Sequence, residues 1–278
     1  MYIRCWGSRG SIPVCGAEYQ RYGGDTTCLE LRAASGDLVV IDAGSGIRRL
    51  GEKLAKEGVK RFSLLFTHAH TDHIMGVPFF APIYQKDTHI TVYGKPYTAP
   101  SYREIIKGIM SAPYCPVELE TVEAGLEFAT VGEQSLRIGS LTITSIPISH
   151  PNGGLGYRFE ENGKSFVFLT DNELDYRHPG GLGPDDYAKF AAGADLLIHD
   201  AEYTAADYSR AWGHSLMESA VRLAVKAKAR RFGLFHINQK RTDDEMDGMV
   251  EQARKQVRSA RHPMECFGVP NTWETTLG

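Results

Sequence analysis

Four apolar runs in this chain each close on a residue that can hold a metal ion, and this restricts the fold more than any other feature. RFSLLF leads into THAHTDH, which offers His68, His70, Asp72 and His73; ITSIPISH closes on His150, SFVFLTD on Asp171 and RRFGLFH on His236. Short runs of this kind, bounded by turn residues, read as buried strands. Singly, a strand-end Asp caps a turn and a strand-end His sits satisfied in a core. Four together line a cleft along one edge, where sheets flanked by helices bind their ligands.

In H-x-H-x-D-H the first two histidines are two apart, so on an extended segment both imidazoles point to the same side. Asp72 and His73 follow where the chain bends toward a helix. Imidazole and carboxylate together suit zinc, iron or manganese, as one ion or two adjacent ones. A polar loop with incidental histidines is the competing reading, and three histidines in six positions speak against it.

Strand and helix signals alternate in both halves. MYIRCW, TCLELRA, DLVVIDAG and RFSLLFT read as strands, with an amphipathic helix over SGIRRLGEKLAKEG capped by Ser45 and a further helix through IMGVPFFAPIY. HITVYG, a helix near SYREIIKGIM, and a β-rich centre follow. The last third runs ADLLIHDAEY, HSLMESAVRLAVKAKA, RRFGLFHIN, TDDEMDGMVEQARKQVRSA and MECFGV. About a dozen strands with helices in both halves suit an α/β four-layer αββα sandwich, although periodicity alone also admits one open sheet. Without a linker or repeat, residues 1–278 are expected to form a single domain.

Charged residues are 23% of the chain and the formal charge is -3, so no basic field attracts nucleic acid and no stable nucleic-acid partner is expected. The five cysteines form no C-x-x-C pair, which argues against a disulfide framework. No run approaches the ~18–20 apolar residues of a membrane span, and the N-terminus has no apolar leader pattern. A cytoplasmic protein without a membrane partner is the expectation.

The ordered set His68, His70, Asp72, His73, His150, Asp171 and His236 resembles the metallo-β-lactamase fold superfamily, over nearly the whole chain. The resemblance implies the αββα sandwich and two divalent metal ions, zinc foremost, with manganese or iron on the same donors. Position by position, His68, His70 and His150 would hold the first metal, Asp72, His73 and His236 the second, and Asp171 would bridge. Two such cations, less two carboxylates and a bridging hydroxide, leave about one positive charge, which favours an anionic phosphodiester over a neutral amide.

The C-terminal third resembles the phosphodiesterase branch of that superfamily, tRNase Z included. His199 and Asp200 match its His-Glu-Ala-Thr motif with Asp for Glu, and His214 and Ser215 match its His-Ser-Thr motif with Leu216 for Thr. The match implies His214 as general acid, Asp200 as its partner and Asp72 as a catalytic metal ligand. His199 is either catalytic or a donor to a metal-bound carboxylate. The tRNA-processing enzymes carry a long arm between the positions of His150 and Asp171, where this chain has twenty residues, enough for a hairpin. GSRGSIP and YGGDT look like a subgroup that includes cyclic-nucleotide phosphodiesterases, with Asp25 where Asn is common.

The expected function is thus a dinuclear metal-dependent phosphodiesterase for a cyclic nucleotide or other small nucleotide phosphodiester. Carboxylic ester, lactone or thioester hydrolysis and a ribonuclease acting on RNA ends are the alternatives. A homodimer would suit the family. Gly7, Gly10, Gly23 and Gly24 are assigned turns and no chemistry. Met110, Pro113, Tyr114 and Cys115 form either a substrate wall or core, and Arg103 and Lys107 a solvated helix face.

Overall fold

The first half of the chain builds one sheet and the second half another. In the computed structural model, which describes residues 1–97, 101–132 and 135–278, the first half runs β1 (Tyr2–Gly7), β2 (Cys28–Arg32), β3 (Leu38–Ile41), α1 (Ile47–Glu57), β4 (Arg61–Leu65), α2 (Thr71–Ile74), β5 (His89–Gly94), α3 (Tyr102–Ile109) and β6 (Gly125–Thr130). The second runs β7 (Leu136–Ile138), β8 (Leu141–Pro147), β9 (Leu155–Glu161), β10 (Lys164–Leu169), α4 (Pro184–Phe190), β11 (Leu196–Asp200), α5 (Met217–Lys226), β12 (Arg231–Phe235), α6 (Asp243–Ser259), β13 (Glu265–Gly268) and β14 (Glu274–Thr276). Strand β14 crosses back to extend the first sheet.

Among the described residues each sheet has seven strands, in the orders β14-β1-β2-β3-β4-β5-β6 and β13-β12-β11-β10-β9-β8-β7. Strands β3 to β6 are parallel, as are β10 to β13, and the remaining pairings are antiparallel. Parallel pairing needs crossovers, which the helices supply. Between the sheets lie Leu29, Ile41, Phe159, Phe166, Phe168 and Phe235, all fully buried. Helix α1 and α3 pack through Leu50, Leu54 and Ile106 on the outer face of the first sheet, and α5 and α6 through Val221, Leu223, Met249 and Ala253 on that of the second. The result is a four-layer αββα sandwich.

Local signals mostly act as their chemistry dictates. Helix α1 stops at Gly58, which takes a left-handed φ of 67°, and α6 starts with a capping box between Thr242 and Glu245. Two expectations are corrected. Ser45 does not cap α1, whose cap is Gly46; its hydroxyl instead accepts from Thr26 N at 3.0 Å and donates to Asp25 Oδ1 at 3.0 Å. The segment IMGVPFFAPIY is not one helix but two short 3-10 turns, Val77–Phe79 and Ala81–Tyr84, because Pro78 and Pro82 lack the amides a continuous helix needs.

Phe168 meets Phe235 edge-on across the inner layer, with ring centroids 5.2 Å apart. Phe168→Ala is expected to cost about 3–5 kcal/mol of stability through lost burial and the cavity left behind, read by equilibrium urea unfolding.

Candidate metal centre

Strand register brings the predicted ligands to one edge. Leu169 of β10 pairs with His199 of β11, and Asp200 pairs with Phe235 of β12, so Asp171 and His236 emerge one after the other beyond the strand ends. From the other sheet, Ile41 of β3 pairs with Leu65 of β4, which sends Asp42 and the Thr67–His73 loop to the same edge. Three of these turn residues adopt left-handed backbone, Asp42 at φ 60°, Asp171 at φ 52° and His236 at φ 56°. Non-glycine residues in that region gather where function over-determines the chain.

The predicted ligand atoms converge in two groups, each with its atoms within 4.8 Å of one another: His68, His70 and His150 in one, Asp72, His73, Asp171 and His236 in the other. Asp171 faces both. Its Oδ1 lies 3.7 Å from His68 Nε2, 3.8 Å from His150 Nε2 and 3.1 Å from His236 Nε2, while Oδ2 lies 3.3 Å from His73 Nε2. Asp72 Oδ2 sits 3.4 Å from His73 Nε2 and 3.2 Å from His236 Nε2.

Each imidazole is also held from behind. The far nitrogen of His68 meets Thr67 Oγ1 at 3.1 Å, that of His70 the Asn152 amide at 3.3 Å, and that of His73 Asp42 Oδ2 at 2.8 Å. His150 Nδ1 lies 2.9 Å from the Gly213 carbonyl, and His236 Nδ1 lies 3.0 Å from Glu202 Oε2. Such partners fix ring orientation and tautomer in metal sites.

The N-terminal GSRGS stretch belongs to this support. The Ser11 amide donates to Asp72 Oδ2 at 2.9 Å, and a Cβ on Gly10 would overlap the His236 ring. Fully buried Arg9 donates to the carbonyls of Gly23, Asn238 and Arg241, pinning this loop to the one after His236. Asp25, by contrast, ties loops together through Ser45 and Arg49.

His214 stacks on His236 with centroids 4.5 Å apart. Its Nδ1 faces Asp200 Oδ2 at 3.2 Å and Glu202 Oε2 at 3.4 Å. Burial lowers its proton affinity, but Glu202 and Asp200 outweigh that and push it up to about 9. His199 is not brought to the cleft. It is fully buried, with Nδ1 at 2.6 Å from the Asp200 carbonyl and Nε2 at 3.1 Å from Asn172 Nδ2, so both ring nitrogens are engaged inside the core. In a strand, neighbours point to opposite faces, and with Asp200 toward His214 its neighbour must turn away.

Glu202 and Glu173 escaped the sequence reading. The same two-residue period that turns His199 away brings Glu202 to the side of Asp200, a usable signal. Glu173 had none, since the loop it holds lies 35 to 40 residues further along the chain. Its buried carboxylate accepts from the Gly213 and Ala211 amides, each at 2.8 Å, and from Tyr208 Oη at 2.6 Å, and lies 2.7 Å from His178 Nε2. It therefore shapes the loop that supplies both the carbonyl behind His150 and His214 itself.

Farther out, Tyr114, Cys115 and Pro116 line an apolar pocket with Thr71, Ile74 and Phe79. Met110 is fully buried in the core, and Arg103 and Lys107 pair with Glu120 on the surface.

The donor set fits divalent cations. Nε2 of His68 and of His73 is buried without a hydrogen-bond partner among the described residues, an arrangement polar atoms avoid unless a ligand takes them. Burial pushes His68, His70 and His150 below the ordinary imidazole range, leaving them neutral lone-pair donors. At His73 burial acts the same way, but Asp171, Asp72 and Asp42 overcome it and raise the ring well above its ordinary value. His236 is raised likewise, burial being outweighed by Asp171, Asp72 and Glu202. These buried carboxylates call for positive charge.

A four-layer sandwich with a buried histidine and aspartate cluster at one edge defines a metal-dependent hydrolase of the metallo-β-lactamase fold. The chain belongs to the β-lactamase superfamily domain family, whose description matches residues 38–237. Ribonuclease Z of Thermococcus kodakarensis is 23% identical over 244 residues, covering 72% of this chain and 75% of that protein. Ribonuclease Z of Bradyrhizobium diazoefficiens is 24% identical over 272 residues, covering 80% and 86%. Among solved structures, a diphosphatase of the PhnP family superposes with a TM-score of 0.72 at 19% identity, covering 100% of this chain and 98% of the other, a likeness of fold. No helix of the described residues is long and apolar enough to cross a membrane.

Two outcomes are expected here. Adding a divalent metal to chelator-treated protein raises the melting temperature, by linkage of binding to folding; an unchanged value would mean that no such site exists. Glu173→Gln lowers metal affinity or turnover by about 10–100-fold, as loss of outer supports does in metal sites, checked by metal analysis and steady-state kinetics.

Proposed function

We propose that this chain is a dinuclear phosphodiesterase acting on a cyclic nucleotide or another small nucleotide phosphodiester. His68, His70 and His150 would hold one metal, Asp72, His73 and His236 the other, with Asp171 shared. When bound, zinc, or manganese or iron on the same donors, supplies Lewis acidity and a nucleophile from water at neutral pH.

The observation that carries the reading is the placement of His214. Its Nδ1 is held by Asp200 and Glu202 beside the cluster, and no described residue engages Nε2, so that nitrogen is the one available to a leaving oxygen. A phosphodiester with an alkoxide leaving group needs a proton there, whereas opening of an activated ester depends less on one. Asp200 also accepts from the Ser215 and Glu202 amides, at 3.1 and 2.9 Å, which fixes the carboxylate that orients His214.

The relatives named ribonuclease Z favour phosphodiester chemistry, and an RNA substrate is the second reading they bring. Two features favour a smaller substrate. Strands β9 and β10 join through the tight turn at Asn162 and Gly163, leaving no arm between His150 and Asp171. The chain carries a net charge of -3, without the surplus that holds a polyanion.

Protein loaded separately with zinc and manganese is expected to hydrolyse 3′,5′-cyclic AMP with kcat in the range of ~1–10³ s⁻¹. Asp171→Ala should abolish turnover. His214→Ala should lower it by roughly 10²–10⁴-fold and affect a p-nitrophenyl leaving group much less. Equal losses on both would remove the acid role, and lactone turnover without phosphodiester turnover would replace the reading with ester hydrolysis.

A further inference from the structure

Arg9 is the largest fully buried side chain among the described residues. A guanidinium taken out of water is costly unless its donors are met, and here every nitrogen meets a main-chain carbonyl. Nε and Nη2 donate to Gly23 at 3.2 and 2.8 Å, while Nη1 donates to Asn238 at 3.1 Å and to Arg241 at 2.9 Å. One planar fork thus ties the turn at Gly23 to the loop after His236, a geometry that the single ammonium of a lysine cannot reproduce.

The main chain around Arg9 is fixed by the same loop. Ile237, next in sequence to His236, donates its amide to the Ser8 carbonyl at 2.9 Å and accepts from the Gly10 amide at 2.9 Å. This bridge sets the arm of residues 8–11 against two side chains of the cluster. A Cβ on Gly10 would come within 2.4 Å of the His236 ring, so the arm packs directly on that imidazole. Ser11 takes left-handed backbone, at φ 63°, and its amide donates to Asp72 Oδ2 at 2.9 Å. Such backbone persists only where its surroundings impose it.

The loop that Arg9 grips also reaches behind His236. Asn238 Nδ2 donates to Glu202 Oε1 at 2.8 Å and Arg241 Nη2 to the Glu202 carbonyl at 3.1 Å, while Glu202 Oε2 lies 3.0 Å from His236 Nδ1. The other group of imidazoles takes no part in this. Thr67, Asn152 and the Gly213 carbonyl stand behind His68, His70 and His150, and among the described residues no hydrogen bond joins residues 8–11 to any of these. The two halves of the cluster rest on separate supports.

We propose that Arg9 is a positioning residue for one metal of the pair: by locking the arm of residues 8–11 it aligns Asp72 and His236, and it leaves the His68, His70 and His150 site unaffected. This assignment rests on the two-metal reading above.

Zinc titrations of chelator-treated protein against a chromogenic chelator test it, because they resolve each dissociation constant without turnover. The parent should bind two ions. Arg9→Lys should weaken one by about 10–100-fold, as loss of outer supports does in metal sites, and leave the other unchanged. Single-site backgrounds identify which ion is lost. In His70→Ala, which keeps the Asp72, His73 and His236 group, adding Arg9→Lys should weaken the remaining ion by the same factor; in Asp72→Ala, which keeps the other group, it should change nothing. Gly10→Ala presses on the His236 ring without touching the guanidinium and should reproduce this pattern, which decides the matter if Arg9→Lys fails to fold.

Equal weakening of both ions, a loss in the Asp72→Ala background, or constants that do not move at all would overturn the assignment. Any of these in a parent that binds two ions sinks the role of Arg9 alone. A parent that binds one ion or none sinks the two-metal reading and the assignment with it. Selective loss of one ion in a protein that hydrolyses no phosphodiester supports the assignment and sinks the phosphodiesterase reading.

Discussion

A single carboxylate, Asp171, is buried at the junction of the two sheets with its oxygens facing four imidazoles. A charge in that position is tolerable only where cationic or ligating partners surround it, and the fold is arranged to provide them. The first sheet sends the His68–His73 loop, the second sends His150, Asp171 and His236, and neither sheet holds the set alone. Burial of the inner aromatic layer brings the two edges together; the polar cluster then rewards only one alignment of them.

The outer contacts make that alignment exact to the atom. All five histidines of the cluster have their far nitrogen occupied, by a hydroxyl, an amide, a carbonyl or a carboxylate. Glu202 serves twice, behind His236 and beside His214, so the histidine and aspartate cluster and the imidazole next to it share one support. Glu173 does the same through backbone, since the Gly213 amide it holds belongs to the residue whose carbonyl meets His150.

Much of this was legible in the sequence, for a physical reason. Candidate ligands at strand ends announce themselves because an apolar run stops abruptly on a polar residue, and the order of the seven followed from reading those stops. The αββα layering was weaker, resting on helices in both halves and on a resemblance. What stayed hidden depends on distant packing: nothing local marks Glu173 as the partner of a loop some forty residues on, or the Ser11 amide as a donor to Asp72. The GSRGS stretch was visible as a pattern, yet its purpose appears only when Gly10 is seen against the His236 ring. At His199 the motif was followed and the strand period was not; the period would have sent it into the core.

Asp171 and His236 turn through left-handed backbone, a conformation that costs an ordinary side chain about 1–2 kcal/mol and glycine almost nothing. Local preference and chemistry therefore pull in opposite directions at these positions. Selection for robustness alone would drift toward glycine at such a turn and erase the side chain that faces the cluster. The fold keeps a small conformational debt at its working edge, and a sequence tuned only for stability would settle it by giving up the reaction.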